Sequence, residues 1–177
     1  MPEDLKNHDA LKARISSKLF ERTKNEFLYP EDVSRSATAS AVLFLLGVTF
    51  LGPMPSQDLR MFKRVLYPMV VWVNRQHRFL PNWEVEGIVR VPLRKLLEPD
   101  AYAVYRIRFQ DPGQWTFTRD FPCFRHEKGK EKEILWGVTY RIVMVFLDIV
   151  FDFKPPLPEC LPVIQGAMNE HYLNGAG

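Results

Sequence analysis

Two alternating segments separated by a turn sequence constrain the fold of this chain more than any other feature. Residues 103–109 (AVYRIRF) and 115–121 (WTFTRDF) alternate between apolar and polar side chains, as half-buried strands do. Asp111, Pro112 and Gly113 lie between the two segments, and these residue types favour a tight reversal of the chain. The pattern therefore predicts a β-hairpin.

Shorter segments predict further strands. These are the apolar residues 41–46, 48–51 and 65–73, and the alternating residues 84–91. Pro68 lies within the third segment and fits a strand there at a bulge or an edge, because proline cannot donate a backbone hydrogen bond. Gly52, Pro53 and Pro55 predict a turn after the second segment.

Two longer segments, residues 4–27 and 131–151, have the apolar spacing of amphipathic helices. In the first, the apolar positions that share one face are Leu11, Ile15 and Leu19. Glu131 and Glu133 would stand in the first turn of the second helix, where negative charge is favourable. Residues 93–97 and 161–173 predict two short helices in addition. Together with the strands, this order predicts one α+β domain over residues 1–177.

Charge and cysteine content bear on nucleic-acid binding, on metal binding and on the cellular compartment. The net charge is +3, from 24 Lys and Arg against 21 Asp and Glu, which is too small an excess to imply nucleic-acid binding. Cys123 and Cys160 lie far apart, with no His or Cys at the spacing of metal ligands. We therefore expect two buried or half-buried free thiols, which fit a reducing cytoplasm.

The sequence shows no hydrophobic segment of the length needed for membrane insertion or secretion. The first nine residues are polar, unlike a signal peptide, and the longest apolar run covers only residues 41–51. A membrane helix needs about 20 apolar residues. The sequence therefore predicts a cytoplasmic protein without a membrane span.

Three stretches in order carry a resemblance to a known family. The first joins Phe50-Leu51-Gly52 to residues 66–70 (LYPMV), and the second joins residues 81–85 (PNWEV) to Val91-Pro92-Leu93. The third joins residues 121–124 (FPCF) to residues 134–139 (ILWGVT). In order and spacing, residues 48–151 resemble the coenzyme A diphosphatases of the Nudix hydrolase superfamily.

The resemblance implies a particular organisation of the chain. Residues 1–30 would be an N-terminal helical extension, residues 40–151 a Nudix-like core, and residues 152–177 a C-terminal tail. The core would be an incomplete Nudix-like mixed sheet flanked by helices.

The acidic Nudix box is absent from the sequence. It runs Gly-x5-Glu-x7-Arg-Glu-hydrophobic-x-Glu-Glu-x-Gly in the family, and no segment of this chain matches it. In a complete relative, the box helix and the coenzyme A signature would lie between the strands that match residues 41–46 and 48–51. Here Leu46 and Val48 are separated only by Gly47.

The missing box bears directly on activity. The resemblance implies that box carboxylates hold Mg²⁺ or Mn²⁺, which activates water for attack on a diphosphate. We therefore expect a hydrolase-like domain that is catalytically inactive or impaired. Two alternatives stay open: a residual metal-dependent diphosphatase acting on coenzyme A-like substrates, and a non-enzymatic domain that binds a nucleotide or a protein.

A few remaining polar residues are weak candidates for a site. Glu131 and Glu133 are the candidate catalytic residues, and Glu127 and Glu131 the candidate metal ligands, although a solvated mixed-charge loop would also explain them. The candidate substrate-binding residues are Arg75, His77 and Arg78. Residues 102–109 alternate aromatic and Arg side chains, which suits either base stacking or ordinary cross-strand packing.

Loss of the box helix also predicts self-association. One apolar sheet face would be uncovered, and such a face promotes dimerisation or poor solubility. Residues 41–51, which are uncharged and rich in strand-forming side chains, would contribute most.

Overall fold

A computed structural model describes residues 7–23, 48–59, 64–73, 89–110, 116–128 and 131–169 of the chain. The protein is α+β, as predicted, with helices and strands in both of its compact units. The first unit comprises residues 1–90 and 142–154, and the second comprises residues 91–141 and 155–177. The prediction of one domain over residues 1–177 stays a prediction.

The first helix, α1, spans His8–Thr23 within the predicted residues 4–27. Asn7 caps it, since its Oδ1 accepts hydrogen bonds from the backbone N–H groups of Asp9 and Ala10 at 3.1 and 3.2 Å. Its buried positions, one turn apart, are Leu11, Ile15, Leu19 and Thr23. The predicted apolar face is therefore confirmed.

Four short strands of the first unit form two antiparallel pairs. Strand β1 (Val48–Pro53) pairs with β4 (Met69–Val73), and β2 (Gln57–Leu59) pairs with β3 (Arg64–Leu66). The register of β1 shifts between Phe50 and Gly52.

Two predictions for this region were wrong. Residues 65–73 are not one strand, because the chain leaves the ladder at Tyr67 and Pro68, where the Pro68 carbonyl instead accepts the Met54 N–H at 2.9 Å. The predicted turn does not begin at Gly52 and Pro53, since both pair within β1. Cross-strand pairing supplies hydrogen bonds that outweigh the turn preference of these two residues.

Helix α1 contacts β1 closely. A Cβ atom on Gly52 would lie 2.8 Å from the Cβ of Leu19, so only glycine allows this approach. Leu51 and Met54 are buried beside it. Arg14 is half-buried, and its Nε donates to the Val150 carbonyl at 3.0 Å.

The second unit contains a four-stranded mixed sheet. Its strands are β5 (Tyr102–Gln110), β6 (Thr116–Lys128), β7 (Glu131–Leu135) and β8 (Val163–Asn169), in the order β7-β6-β5-β8. Strands β5 and β6 form the predicted antiparallel hairpin, whereas β8 runs parallel to β5. The hairpin and the mixed character of the sheet are thus present.

The helix predicted over residues 131–151 begins later than expected. Residues 131–135 form β7, and helix α3 spans Gly137–Phe151. Gly137 has φ +69°, a left-handed conformation in which glycine turns the chain sharply from the strand into the helix. The placement of Glu131 and Glu133 at a helix N-terminus was therefore wrong: they stand in a strand paired with β6.

The final helix predicted over residues 161–173 was also wrong in its described part. Residues 163–169 form β8, paired with β5 over seven positions from Val104↔Val163 to Gln110↔Asn169. The β-branched Val163 and Ile164 favour a strand, and β5 offers an open edge for them to pair with. The segment expected to be a tail therefore completes the sheet.

A short helix precedes the sheet, as predicted. Helix α2 spans Leu93–Leu96 and is followed by a 3-10 turn at Pro99–Ala101. No described helix is both long and apolar enough to cross a membrane. The strand predicted at residues 41–46 lies outside the described residues, as do positions 84–88 of the strand predicted at 84–91; residues 89–91 are not in a strand.

Candidate functional site

A cleft of about 220 Å³ opens in the second unit, between the α2 segment and strand β6. Its lining combines three carboxylates, two cations, a histidine and two apolar residues: Glu98, Asp100, Glu127, Lys95, Arg125, His126, Ala101 and Phe124. We describe this as the mixed-charge cleft.

The α2 side of the mixed-charge cleft is held against the sheet by a buried tyrosine. Tyr102 begins β5, and its hydroxyl donates to the Leu96 carbonyl at 2.6 Å. Its ring meets Phe124 edge-on at 5.5 Å. Burial raises the pKa of the Tyr102 hydroxyl above its ordinary value, and Tyr140 adds to the shift. The hydroxyl therefore stays protonated and keeps its bond to the turn.

Much of the charge in the mixed-charge cleft is paired within it. Lys95 lies 2.8 Å from Glu98, and the Arg125 Nη2 donates to the Asp100 carbonyl at 2.8 Å. The Arg125 Nε is buried and has no hydrogen-bond partner among the described residues. The cleft can contact a polar ligand, but Lys95 is engaged within the α2 segment and Arg125 holds that segment to β6.

Two of the three predicted carboxylates, Glu127 and Glu133, lie on opposite faces of the β6–β7 ladder. The ladder pairs His126 with Glu133 and Glu127 with Lys132, so Glu133 shares a face with His126 and Glu127 shares the other face with Lys132. Side chains of neighbouring strand residues point to opposite faces. Glu127 and Glu133 therefore lie on opposite sides of the sheet, and only Glu127 reaches the mixed-charge cleft.

Glu131 is the remaining candidate ligand. It pairs in register with Lys128 at the end of the ladder. Mg²⁺ and Mn²⁺ require several oxygen ligands around one point. Among the described residues, no three His, Cys, Asp or Glu side chains are placed to hold one metal ion. Glu127 and Glu133, on opposite faces of the sheet, do not together form the metal site that the resemblance implies.

The candidate substrate-binding residues Arg75, His77 and Arg78 lie outside the described residues. Among the singled-out residues that the structure describes, Glu127 is the one that lines the cleft. Another carboxylate, Asp120, was not among the candidates. It pairs with Arg106 across the hairpin through contacts of 2.8 and 2.7 Å. The hydrogen bond from Arg106 lowers the pKa of Asp120.

Sequence reasoning missed a surface at the other end of the hairpin. Phe109, Phe117 and Phe121 lie on one face of the sheet, and we refer to these three as the aromatic platform. Phe109 stacks on Phe117, with centroids 4.7 Å apart and 17° between the planes, and meets Phe121 edge-on at 6.4 Å. The alternation of both hairpin strands was the available signal, but it does not say which of the two faces is open to solvent.

Further contacts support the aromatic platform from one end. Trp136 packs against Phe121 at 5.2 Å and against Tyr105 at 5.8 Å, in both cases with tilted rings. Arg119 lies between Phe117 and Phe121 along β6, and its guanidinium is 5.4 Å from the Phe121 centroid. The platform is therefore held by packing on the Trp136 side and flanked by a cation.

The thiols differ from the expectation in one respect. Both cysteines are free, and Cys123 is buried as predicted, but Cys160 is exposed. Burial raises the pKa of the Cys123 thiol to about 11, although Arg125 partly offsets the shift.

Comparison with known proteins gave no match, either in a scan against protein-family models or in a search of curated proteins.

Proposed function

We propose that this chain is a Nudix-like domain that binds a coenzyme A-type nucleotide diphosphate without hydrolysing it. The observation that carries the proposal is the β6–β7 register, which separates Glu127 from Glu133 by placing them on opposite faces of the sheet. These are two of the carboxylates that would have to replace the missing box.

The chemistry of diphosphate hydrolysis explains why this separation matters. Metal ions in such reactions neutralise phosphate charge and lower the pKa of the attacking water. Carboxylates that face away from each other cannot share a metal ion. A ligand can still be recognised through stacking and ion pairing, which need no metal. Binding is further supported by the resemblance, which covers the half of the family domain on the substrate side.

The direct test measures binding and turnover on the same folded sample. Binding of coenzyme A would be followed by calorimetry without metal. Turnover would be followed as release of the phosphopantetheine and adenosine bisphosphate halves with Mg²⁺ or Mn²⁺. We expect binding without release, with a complete Nudix coenzyme A diphosphatase as the positive control.

Two results would contradict the proposal. Metal-dependent release that disappears in a Glu131→Gln, Glu133→Gln double variant would instead establish a residual diphosphatase. Absence of coenzyme A binding in a folded sample would remove the binding function.

We also infer that the chain self-associates. Two large apolar side chains of the first unit, Phe20 and Phe50, are 46% and 45% exposed and meet edge-on at 6.2 Å. Met69 in β4 is 39% exposed. Sedimentation velocity over a range of concentrations should show a concentration-dependent dimer that Phe50→Lys weakens; a monomer at all concentrations would exclude this inference.

A cytoplasmic location is likewise a proposal. It is supported by the two free cysteines, of which Cys160 is exposed and would be prone to oxidation outside a reducing compartment. Fractionation of expressing cells tests it directly, and recovery of the chain outside the cytoplasmic fraction would contradict it.

A further inference from the structure

The aromatic platform ends in a ring that is open on one side. Phe117 is 52% exposed, whereas its stacking partner Phe109 is 7% exposed. Their planes differ by only 17°, while Phe109 and Phe121 meet at 71°. The outer face of Phe117 can therefore accept one further flat ring in the same stack, a geometry that aromatic side chains favour.

The sheet leaves room for that ring. Strand β5 pairs with β6 at Phe117 on one side, while on the other side β7 pairs with β6 over residues 124–128 among the described strands. Among the described residues, Trp136 packs against the platform at the level of Phe121. Phe117 thus stands beyond the covered section of β6.

An exposed cation stands next to the open ring. Arg119 is two residues from Phe117 on the same strand face, about 6–7 Å away along the strand. The Phe121 ring lies 5.4 Å from its guanidinium carbon and restrains the side chain. A guanidinium held in this way presents N–H donors in the fork geometry that suits a phosphate.

We propose that Phe117 stacks the base of a free purine mononucleotide unit and that Arg119 binds its phosphate. The inference rests on the proposed nucleotide-binding function and assigns it a site. A base and a phosphate separated by one ribose match a flat ring and a cation that stand two positions apart on one strand.

The surroundings favour a small ligand over a protein partner. On the face of β6 that carries Phe117, the next residue is Arg119, which is exposed and charged. Protein interfaces need a much larger continuous surface, of the order of 800 Å² on each partner. A single exposed ring with an adjacent cation suits one nucleotide.

The test uses the full chain and calorimetry with AMP, adenosine and coenzyme A in metal-free buffer. Phe117→Leu should weaken AMP binding by about 5-fold or more, the range expected for loss of one base stack. Phe117→Trp should preserve binding, because it keeps a flat ring. Arg119→Gln should weaken binding of AMP but leave binding of adenosine unchanged. Phe50→Leu, at an exposed phenylalanine in the first unit, is the matched control and should bind AMP like the unaltered chain.

The outcomes separate this inference from the proposed function. If Phe117→Leu and Phe50→Leu both bind AMP and coenzyme A as the unaltered chain does, the stacking site is excluded while nucleotide binding stands. If AMP binding depends on Phe117 but coenzyme A is hydrolysed when metal is added, the site stands and the non-catalytic function is wrong. If the unaltered chain binds neither AMP nor coenzyme A, both are wrong. Oligoadenylate that binds more tightly with increasing length would identify single-stranded nucleic acid as the ligand and overturn the assignment to a free nucleotide.

Discussion

Single residues decide how closely the first helix approaches the first strand. Gly52 lies against Leu19, and the backbone of β1 can come this near only because glycine has no Cβ. Leu19 is fully buried, so it has little freedom to move aside. The resemblance drew attention to the Leu-Gly pair at this point, but its structural role is a helix–strand contact.

Substitution of Gly52 tests this contact. Gly52→Ala should lower the free energy of unfolding by about 1–3 kcal/mol, because the added methyl group overpacks the core at Leu19. Denaturant unfolding followed by circular dichroism measures the change. The double variant Gly52→Ala, Leu19→Gly removes the Cβ atom that the added methyl group would meet, so it should recover part of the overpacking cost; a fully additive double variant would contradict the contact.

The two cysteines should differ sharply in reactivity. Cys160 is exposed, while Cys123 is buried with its pKa raised to about 11, so little of the reactive thiolate forms near neutral pH. We expect one thiol to react with a thiol-specific reagent at pH 8 in the folded chain and two after unfolding. A Cys160→Ser variant should then show no reactive thiol until it is unfolded; rapid labelling of this variant would contradict the burial of Cys123.

Among the secondary-structure elements, helix α3 has both of its ends set by residues in an unusual backbone conformation. Helix α3 begins at Gly137, with φ +69°, and ends before Asp152, with φ +53°. The Asp152 N–H donates to the Asp148 carbonyl at 2.9 Å, which satisfies one of the last helix carbonyls. The helix therefore ends at Phe151, the end that was predicted from the sequence.

The end of α3 offers a stabilising substitution. Asp152→Gly should raise the free energy of unfolding by up to about 1 kcal/mol, because glycine adopts the left-handed conformation without steric cost and the negative charge leaves the helix C-terminus. Thermal and denaturant unfolding would be compared with Asp152→Asn, which removes the charge alone. A destabilised Asp152→Gly variant would show that Asp152 has another role.

Strand pairing also explains why the candidate site was only partly predictable. Glu127, Glu131 and Glu133 are close in sequence, and a loop or helix could have brought them together. In the β6–β7 ladder, the alternation of side chains instead separates Glu127 from Glu133. The alternation in the β5–β6 hairpin was the sequence signal for the aromatic platform. The open side of Phe117, in contrast, depends on how far the described β7 extends along β6.

For the whole molecule, buried ionisable groups predict how stability depends on pH. Burial raises the pKa of Cys123 to about 11 and that of Tyr140 to about 12, and Tyr102 shifts in the same direction. All three are thiol or phenol groups that are neutral below their pKa. Because the folded pKa values exceed the ordinary values of 9.0 and 10.0, the unfolded chain loses these protons first as the pH rises.

Stability should therefore be constant, as far as these groups are concerned, below about pH 9 and should fall between about pH 9 and pH 12. Denaturant midpoints measured across this interval test the prediction. Tyr140→Phe keeps the buried ring but removes one ionisation, so its midpoint should fall less steeply above pH 10. An equal slope in the variant and the unaltered chain would show that Tyr140 does not contribute.

The features that depend on local periodicity could be predicted from the sequence. The stripe of Leu11, Ile15 and Leu19 identified a face of α1, alternation identified the β5–β6 hairpin, and the mixture of the two periods indicated the α+β class. Each follows from the geometry of one helix or of adjacent strands, in which the partners are near in sequence.

Which ambiguous segments became strands, and where their side chains lie, depended on contacts between distant parts of the chain. Residues 131–135 pair with β6, and residues 163–169 pair with β5 from more than fifty positions away along the chain. A strand obtains its hydrogen bonds from a partner and not from itself, so its formation depends on what stands beside it in space. For the same reason, the separation of the carboxylates and the open face of Phe117 could be known only once the order and extent of the strands were known.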